Sequence, residues 1–111
     1  MSVNKVILIG NVGADPEMRY PEKDMAVACL SLATSDRQQN SSVELTEWHR
    51  LVIVGEPARF AERYIRKGTR LYVEGKLRYR TYEDKFKIRH KTAEILVQTF
   101  EILGRPDSRT Q

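Results

Sequence analysis

Short runs of Val, Ile and Leu alternate with polar segments along most of the chain, and this pattern predicts strands. The five predicted strands are residues 3–9, 25–33, 47–54, 71–82 and 88–97, and a short apolar segment follows at residues 100–103. Residues 13–24 are rich in Gly, Pro and acidic side chains and predict a turn-rich connection, while residues 35–42 predict a polar, mobile loop. The tip of the last hairpin is expected at residues 83–86.

One helix is predicted between the third and the fourth of these strands. Pro57 suits its first turn, where a missing N–H loses no hydrogen bond. Gly68 follows the apolar repeat and is expected to supply the C-terminal cap of the helix. The residues that recur at helical spacing, and that we expect in the core, are Phe60, Ala61, Tyr64 and Ile65.

The order of these elements limits the fold, because an all-parallel sheet needs a crossover for every strand pair and only one helix is predicted. The economical solution is a mainly antiparallel, all-β OB-fold, a five-stranded barrel with one α-helix between strands 3 and 4. Gly75 interrupts the fourth strand and is expected to allow a sharp bend. A small sandwich carrying one helix is the alternative. The domain is expected to span residues 1–104, followed by a short, disordered tail at residues 105–111.

Composition excludes several classes of protein. The chain has 111 residues, which corresponds to one domain. Cys29 is the single cysteine, so no disulfide within the chain is possible, and a cytoplasmic setting is expected. We find neither an apolar run of about eighteen residues nor a signal peptide, so no membrane association is expected. The chain has two His and one Cys, which are not spaced as metal ligands are, and it has no glycine-rich phosphate loop. These features argue against an enzyme and against a bound metal or cofactor.

Charge is distributed unevenly along the chain. The net charge is +4, but residues 63–91 hold eleven Lys and Arg against three acids, which gives this stretch +8 and the remainder −4. A basic half beside an acidic remainder indicates a polyanionic partner on one face, although a solvated surface would show the same bias.

Binding of single strands requires a basic groove for the phosphates and aromatic rings on which bases stack. Residues 76–82 interleave cations with aromatics, beginning at Lys76. In an extended strand Arg78, Arg80 and Tyr82 share one face, and Tyr79 lies on the other. Trp48 and Arg50 share a face of the third predicted strand in the same way, and the polar neighbours of Trp48 favour a half-exposed ring. These residues are the candidate DNA contacts.

The predicted hairpin tip adds Phe86, which lies between Lys85 and Lys87 where a core has little use for an aromatic ring. For Tyr82 and Phe86, packing within the hairpin is the alternative to base stacking, and Tyr79 could cover the other side of the sheet.

Six blocks of the sequence, occurring in order, closely resemble the bacterial single-stranded DNA-binding protein family. They lie at residues 4–11 (NKVILIGN), 15–20 (DPEMRY), 32–35 (LATS), 47–50 (EWHR), 64–68 (YIRKG) and 72–75 (YVEG). Together they cover the chain from Val3 to about Leu103, and six spaced blocks are far more specific than any one of them.

The resemblance implies a homotetramer, a dimer of dimers around which single-stranded DNA wraps, with roles in replication, recombination and repair in the bacterial nucleoid. By position, Trp48 and Tyr82 correspond to stacking residues, the latter usually Trp in the family. The basic contact positions are Arg50, Lys67, Arg78 and Arg80. The first strand corresponds to the one that pairs between subunits. The residues that we place at the subunit interface are Val3, Lys5, Ile7, His49 and Tyr72.

The sequence departs from the family pattern at three places, which are Gln38 in the polar loop, the neighbouring positions Val54 and Glu56, and residues 104–111. Gln38 and Val54 occupy positions that often carry stacking aromatics, and Glu56 occupies a frequently basic one. We therefore expect weaker binding per subunit than in a typical member, because each stacked base contributes about 1–3 kcal/mol. Residues 104–111 show no acidic tip, so recruitment of partner proteins by such a tail is not expected.

Two other functions remain open on the sequence alone. An OB-fold that has become a primosome-like protein-interaction module would explain the missing aromatics. An RNA-binding OB-fold would use the same stacking, because bases of both nucleic acids have aromatic faces.

Overall fold

The computed structural model describes residues 1–37, 39–40 and 42–106. Within these residues the chain forms six strands and one helix. The strands are β1 (Val6–Val12), β2 (Glu17–Glu22), β3 (Met25–Arg37), β4 (Glu44–Val54), β5 (Arg70–Glu83) and β6 (Arg89–Gly104), and the helix is α1 (Glu56–Tyr64). No helix in the described ranges is long and apolar enough to cross a membrane.

Five of the strands close into a barrel in the order β1-β5-β6-β4-β3, and β3 pairs back to β1. Every pairing is antiparallel except that of β4 with β6. The helix lies between β4 and β5, which are the third and fourth strands of the barrel. This arrangement confirms the predicted all-β OB-fold.

The prediction of a turn-rich connection at residues 13–24 is wrong for half of its length. Glu17–Glu22 form β2, which pairs with β3 outside the barrel. The strand gave no apolar alternation because nearly all its residues are exposed. Pro21 is compatible with it because β2 is an edge strand, where a missing N–H breaks no ladder. A turn at Lys23 and Asp24 joins β2 to β3.

Cross-strand pairing also extends the other strands beyond their apolar residues. β3 continues to Arg37, which pairs with Glu44 at the start of β4, so three residues of the predicted polar loop belong to a strand. Gln38 and Ser41 of that loop lie outside the described residues. β6 is continuous from Arg89 to Gly104 and includes the apolar segment expected to be separate.

The helix ends earlier than its sequence pattern predicted. Ile65 is already extended, with φ −97° and ψ 131°, and its N–H donates to the carbonyl of Ala61. Gly68 therefore does not cap the helix. It lies in the following turn at φ 92°, and its N–H donates to the carbonyl of Val12 over 2.7 Å. This hydrogen bond ties the end of the helical segment to the barrel.

The core fills the barrel and extends beneath the helix. Its buried residues include Val12, Leu30, Leu32, Leu51, Ile53, Leu71, Val73 and Ile95, with Ala58, Ala61 and Ile65 from the helical segment. Two aromatic residues expected in this core are outside it, since Phe60 is 47% exposed and Tyr64 40% exposed. Their rings lie 4.6 Å apart on the outer side of the helix, because the small alanines face the barrel.

Gly75 marks an irregularity in the long β5–β6 ladder. The register shifts between Glu74 and Gly75, which is the position where bending was expected. A Cβ atom at Gly75 would lie 2.4 Å from the carbonyl oxygen of Leu96 and 2.9 Å from Cγ2 of Ile95. The two strands therefore approach more closely here than any side chain would permit.

We predict that Gly75→Ala lowers the free energy of unfolding by about 2 kcal/mol or more, because the new methyl group must displace backbone on β6. Urea denaturation followed by circular dichroism measures this. Gly104→Ala is the matched control, since its Cβ would meet only Cβ of Arg70, at an ordinary 3.8 Å. Equal midpoints for the two variants would contradict the close approach at Gly75.

Candidate nucleic-acid interface

Trp48 lies on the outer face of β4 and is 62% exposed, as its polar sequence neighbours predicted. Gly13 supports the ring from below: a Cβ atom at Gly13 would lie 2.4 Å from Cζ3 of Trp48. Gly13 is itself held by a 2.9 Å hydrogen bond from its N–H to the carbonyl of Ser31 on β3. The indole therefore rests on backbone and leaves a large part of its surface open to a ligand.

Three arginines on the same face converge on one buried carboxylate. Glu94 on β6 is 3% exposed. Nε of Arg50 lies 3.2 Å from its Oε2, Nε of Arg78 lies 3.0 Å from Oε1, and Nε of Arg80 lies 3.8 Å from Oε2. We call these four residues the Glu94 cluster. Its formal net charge is +2, and the arginine side chains remain partly exposed.

The strand register explains why these residues meet. β4 and β6 run parallel and pair at Leu51 with Ile95 and at Val52 with Leu96. Arg50 and Glu94, which come one residue before the first of these pairs, are therefore neighbours. Arg78 pairs directly with Glu94 across the β5–β6 ladder, so all three strands contribute to one site.

The same face continues along the β5–β6 hairpin to Tyr82. Its ring stacks on the ring of His90, its cross-strand partner, with centroids 5.1 Å apart and planes 23° from parallel. Cζ of Arg80 lies 5.2 Å from the Tyr82 centroid. Tyr82 is thus partly packed within the hairpin, and it still exposes an aromatic surface beside a cation.

Asp84 organises the hairpin tip. Its carboxylate accepts hydrogen bonds from the backbone N–H groups of Phe86 and Ile88 and lies 2.7 Å from Nε2 of His90. The contact with His90, followed by these backbone bonds, holds the pKa of Asp84 below its usual value. Phe86 is 71% exposed, and Nζ of Lys85 lies 5.3 Å from its ring.

The remaining candidate contacts lie apart from the Glu94 cluster. Tyr79 is on the opposite face of the hairpin, where Nζ of Lys91 lies 4.9 Å from its ring centroid. Lys76 is exposed on β5, directly after Gly75, and Lys87 is exposed at the hairpin tip. Lys67 is exposed in the turn after the helix, where its N–H donates to Asp15 over 2.9 Å.

Of the candidate subunit-interface residues near the start of the chain, only Ile7 lies on β1; Val3 and Lys5 precede it, because the strand predicted at residues 3–9 begins at Val6. Val3 and Ile7 are exposed, and Nζ of Lys5 forms a 2.8 Å ion pair with Glu74. Among the described residues β1 pairs with β5 from Val6 to Asn11 and with β3 only at Asn11 and Val12. The opposite edge of the strand before these two residues is therefore open to another strand.

Two further interface candidates have partners within the chain. Nε2 of His49 lies 2.8 Å from Oγ1 of Thr34. The Tyr72 hydroxyl donates to Glu74, which raises the pKa of the tyrosine, while Lys5 and then Tyr72 lower the pKa of Glu74. Both side chains are half-buried and fixed in orientation.

Sequence reasoning missed two residues of this face. Glu94 was the only acid in an otherwise apolar stretch of its strand, which was a usable signal for a buried ion pair. Its three partners come from two other strands, and no sequence spacing identifies them. Gly13 carried no signal, because its role is to approach a ring that lies 35 residues further along the chain.

A closed five-stranded barrel with an exposed indole and clustered arginines on one face defines the chain as an OB-fold of the nucleic-acid-binding class. It matches the family described as the single-strand binding protein family over residues 3–103. The chain belongs to this family, and single-strand binding is its function. A solved structure described as a Plasmodium falciparum SSB complex with ssDNA is 31% identical, with a TM-score of 0.81, covering 95% of this chain and 96% of that one.

We predict that Gly13→Ala displaces the Trp48 ring, because the new methyl group would occupy its present position. Trp48 is the only tryptophan, so its emission maximum and its quenching by acrylamide report this one site. Both should change while the far-ultraviolet circular dichroism spectrum stays that of the wild type. Gly104→Ala serves as the control, and an unchanged emission spectrum in Gly13→Ala would contradict the contact.

Proposed function

We propose that this protein binds and protects single-stranded DNA without sequence preference, by stacking bases on exposed rings and neutralising phosphates with arginines. The observation that carries the proposal is the exposed Trp48 on the same face as the Glu94 cluster. Bases of every kind have an aromatic face, so stacking does not discriminate among sequences. The match to a solved SSB complex with ssDNA supports DNA as the ligand.

Contacts are assigned to the candidate residues according to their position. The stacking surfaces are supplied by Trp48, Tyr82 and Phe86. The phosphates beside Trp48 and Tyr82 are contacted by Arg50, Arg78 and Arg80. The positive potential is extended along the bound DNA by Lys67, Lys76 and Lys87. Tyr79 lies on the other face of the hairpin, so it contacts only DNA that passes around the hairpin edge.

The roles proposed for this binding are those of replication, recombination and repair, in the bacterial cytoplasm at the nucleoid. All three processes expose single strands that must be kept from pairing and from nucleases. We propose no catalytic activity, because the face offers stacking and phosphate contacts but no nucleophile paired with a base.

The proposed assembly is a homotetramer, a dimer of dimers. The open edge of β1 supports it, because an unpaired strand edge with exposed Ile7, preceded by exposed Val3, is a ready site for pairing with a second β1. A tetramer would bring several DNA-binding faces together on one particle, and one strand could then contact them in succession.

For the DNA interface, we predict that Trp48→Ala weakens binding to oligo-dT by about 5- to 150-fold, the loss expected for one stacked base. Fluorescence anisotropy of a labelled oligonucleotide measures the affinity at several salt concentrations. In the wild type the affinity should fall steeply as salt rises, because phosphate contacts release counterions. Quenching of Trp48 should accompany binding.

Phe60→Ala is the matched control, since Phe60 is also an exposed aromatic but lies on the helix away from this face. It should bind oligo-dT like the wild type. Absence of salt-dependent binding by the wild type would contradict the proposal and favour a protein-interaction module. Tighter binding to oligo-U than to oligo-dT would favour RNA as the ligand.

For the assembly, we predict that the wild type sediments as a tetramer at micromolar concentration. Ile7→Asp should dissociate it, because a charge would then lie on the exposed side of the β1 edge. Analytical ultracentrifugation distinguishes the two states, with Ile88→Asp at the hairpin tip as a control for an equally exposed isoleucine. A stable wild-type monomer would refute the assembly.

A further inference from the structure

Glu94 lies within the proposed DNA face as a negative charge, which is unexpected for a surface that binds a polyanion. It is 3% exposed and packed beneath the side chains of Arg50, Arg78 and Arg80. A buried carboxylate is costly unless it is paired, so the three arginines account for its burial. Its presence lowers the positive charge available to DNA.

The geometry of the ion pairs shows what the carboxylate does to the arginines. Arg50 and Arg78 donate to it through Nε, and the nearest approach of Arg80 is also through Nε. A guanidinium has five N–H donors, and contact at Nε leaves the four on the two Nη atoms. Among the described residues the Nη atoms of Arg78 and Arg80 form no hydrogen bond, and Nη2 of Arg50 contacts only Sγ of Cys29, at 3.7 Å.

We propose that Glu94 is a positioning residue for DNA binding: it holds the guanidinium groups of Arg50 and Arg78 by Nε, with Nε of Arg80 3.8 Å away, and leaves their Nη ends to receive phosphates. The inference rests on the proposed function and assigns it a residue that does not itself touch DNA. Free arginine side chains would lose rotamer freedom on binding, which costs affinity, whereas Arg50 and Arg78 are already restrained by their hydrogen bonds to Glu94. Glu94 thereby lowers the charge of the face by one unit but orients two phosphate-binding groups and keeps a third, that of Arg80, beside them.

Charge and positioning make opposite predictions for Glu94→Gln. The variant carries one more positive charge on the DNA face, so a purely electrostatic role for Glu94 predicts tighter binding and a salt dependence at least as steep. A positioning role predicts weaker binding despite the added charge, because a neutral amide offers one acceptor oxygen and no negative charge to hold the guanidinium groups. The direction of the change therefore separates the two roles.

We expect Glu94→Gln to weaken binding to oligo-dT about tenfold at low salt. The slope of log affinity against log salt should become shallower by about 0.7 for each phosphate contact that is lost. Glu22→Gln, exposed at the end of β2, makes the same change in net charge and should bind at least as tightly as the wild type. Affinity of Glu94→Gln equal to or above that of Glu22→Gln would overturn the inference.

A wild-type measurement tests the inference even if Glu94→Gln fails to fold. In nitrogen-15 NMR spectra, the Nε–H signals of Arg50 and Arg78, assigned with Arg→Lys variants, should exchange slowly with solvent. They should remain slow in the complex with oligo-dT, while the Nη signals change. Loss of Nε protection on binding would mean that phosphate replaces Glu94, and it would overturn the inference. Failure of the wild type to bind oligo-dT would instead refute the proposed function.

Discussion

The parallel junction between β4 and β6 is the constraint on which the rest of this structure depends. Two residue pairs form it, Leu51 with Ile95 and Val52 with Leu96, and they join the β3–β4 side of the barrel to the β5–β6 hairpin. Their side chains alternate between the core and the outer face, so the junction sets both surfaces at once. Inside, it aligns Leu51 and Ile95. Outside, it brings Arg50 next to Glu94.

The Glu94 cluster changes how the basic character of the chain should be understood. A net charge of +8 over residues 63–91 indicated a strongly positive surface. In the folded protein, Arg78 and Arg80 of that stretch share a buried carboxylate with Arg50, so the face is less positive than the sequence suggested. Fixed, partly neutralised arginines suit a ligand that is bound through many weak contacts, because each contact then depends on orientation as well as on net charge.

The structure also shows the surroundings of the positions that depart from the family pattern. Val54 is exposed at the end of β4 on the Trp48 side, and Glu56 forms an ion pair with Arg59 over 3.3 Å, so neither position offers a stacking ring or a cation. The hairpin is different. Tyr82 and Phe86 expose rings there beside Arg80 and Lys85. The proposed stacking surface is therefore shifted toward the hairpin.

The sequence by itself determined the barrel, the place of the helix and the exposure of Trp48, because alternation of apolar residues and the position of prolines and glycines are local properties. It did not reveal β2, because the exposed residues of that strand show no apolar alternation. It also did not reveal the outward position of Phe60, because helical spacing does not determine which side of the helix packs against the barrel. Only the tertiary structure decided that Glu94 would be buried among arginines from two other strands. The physical reason is that barrel closure, and not the chain's local preference, sets the register between strands far apart in sequence.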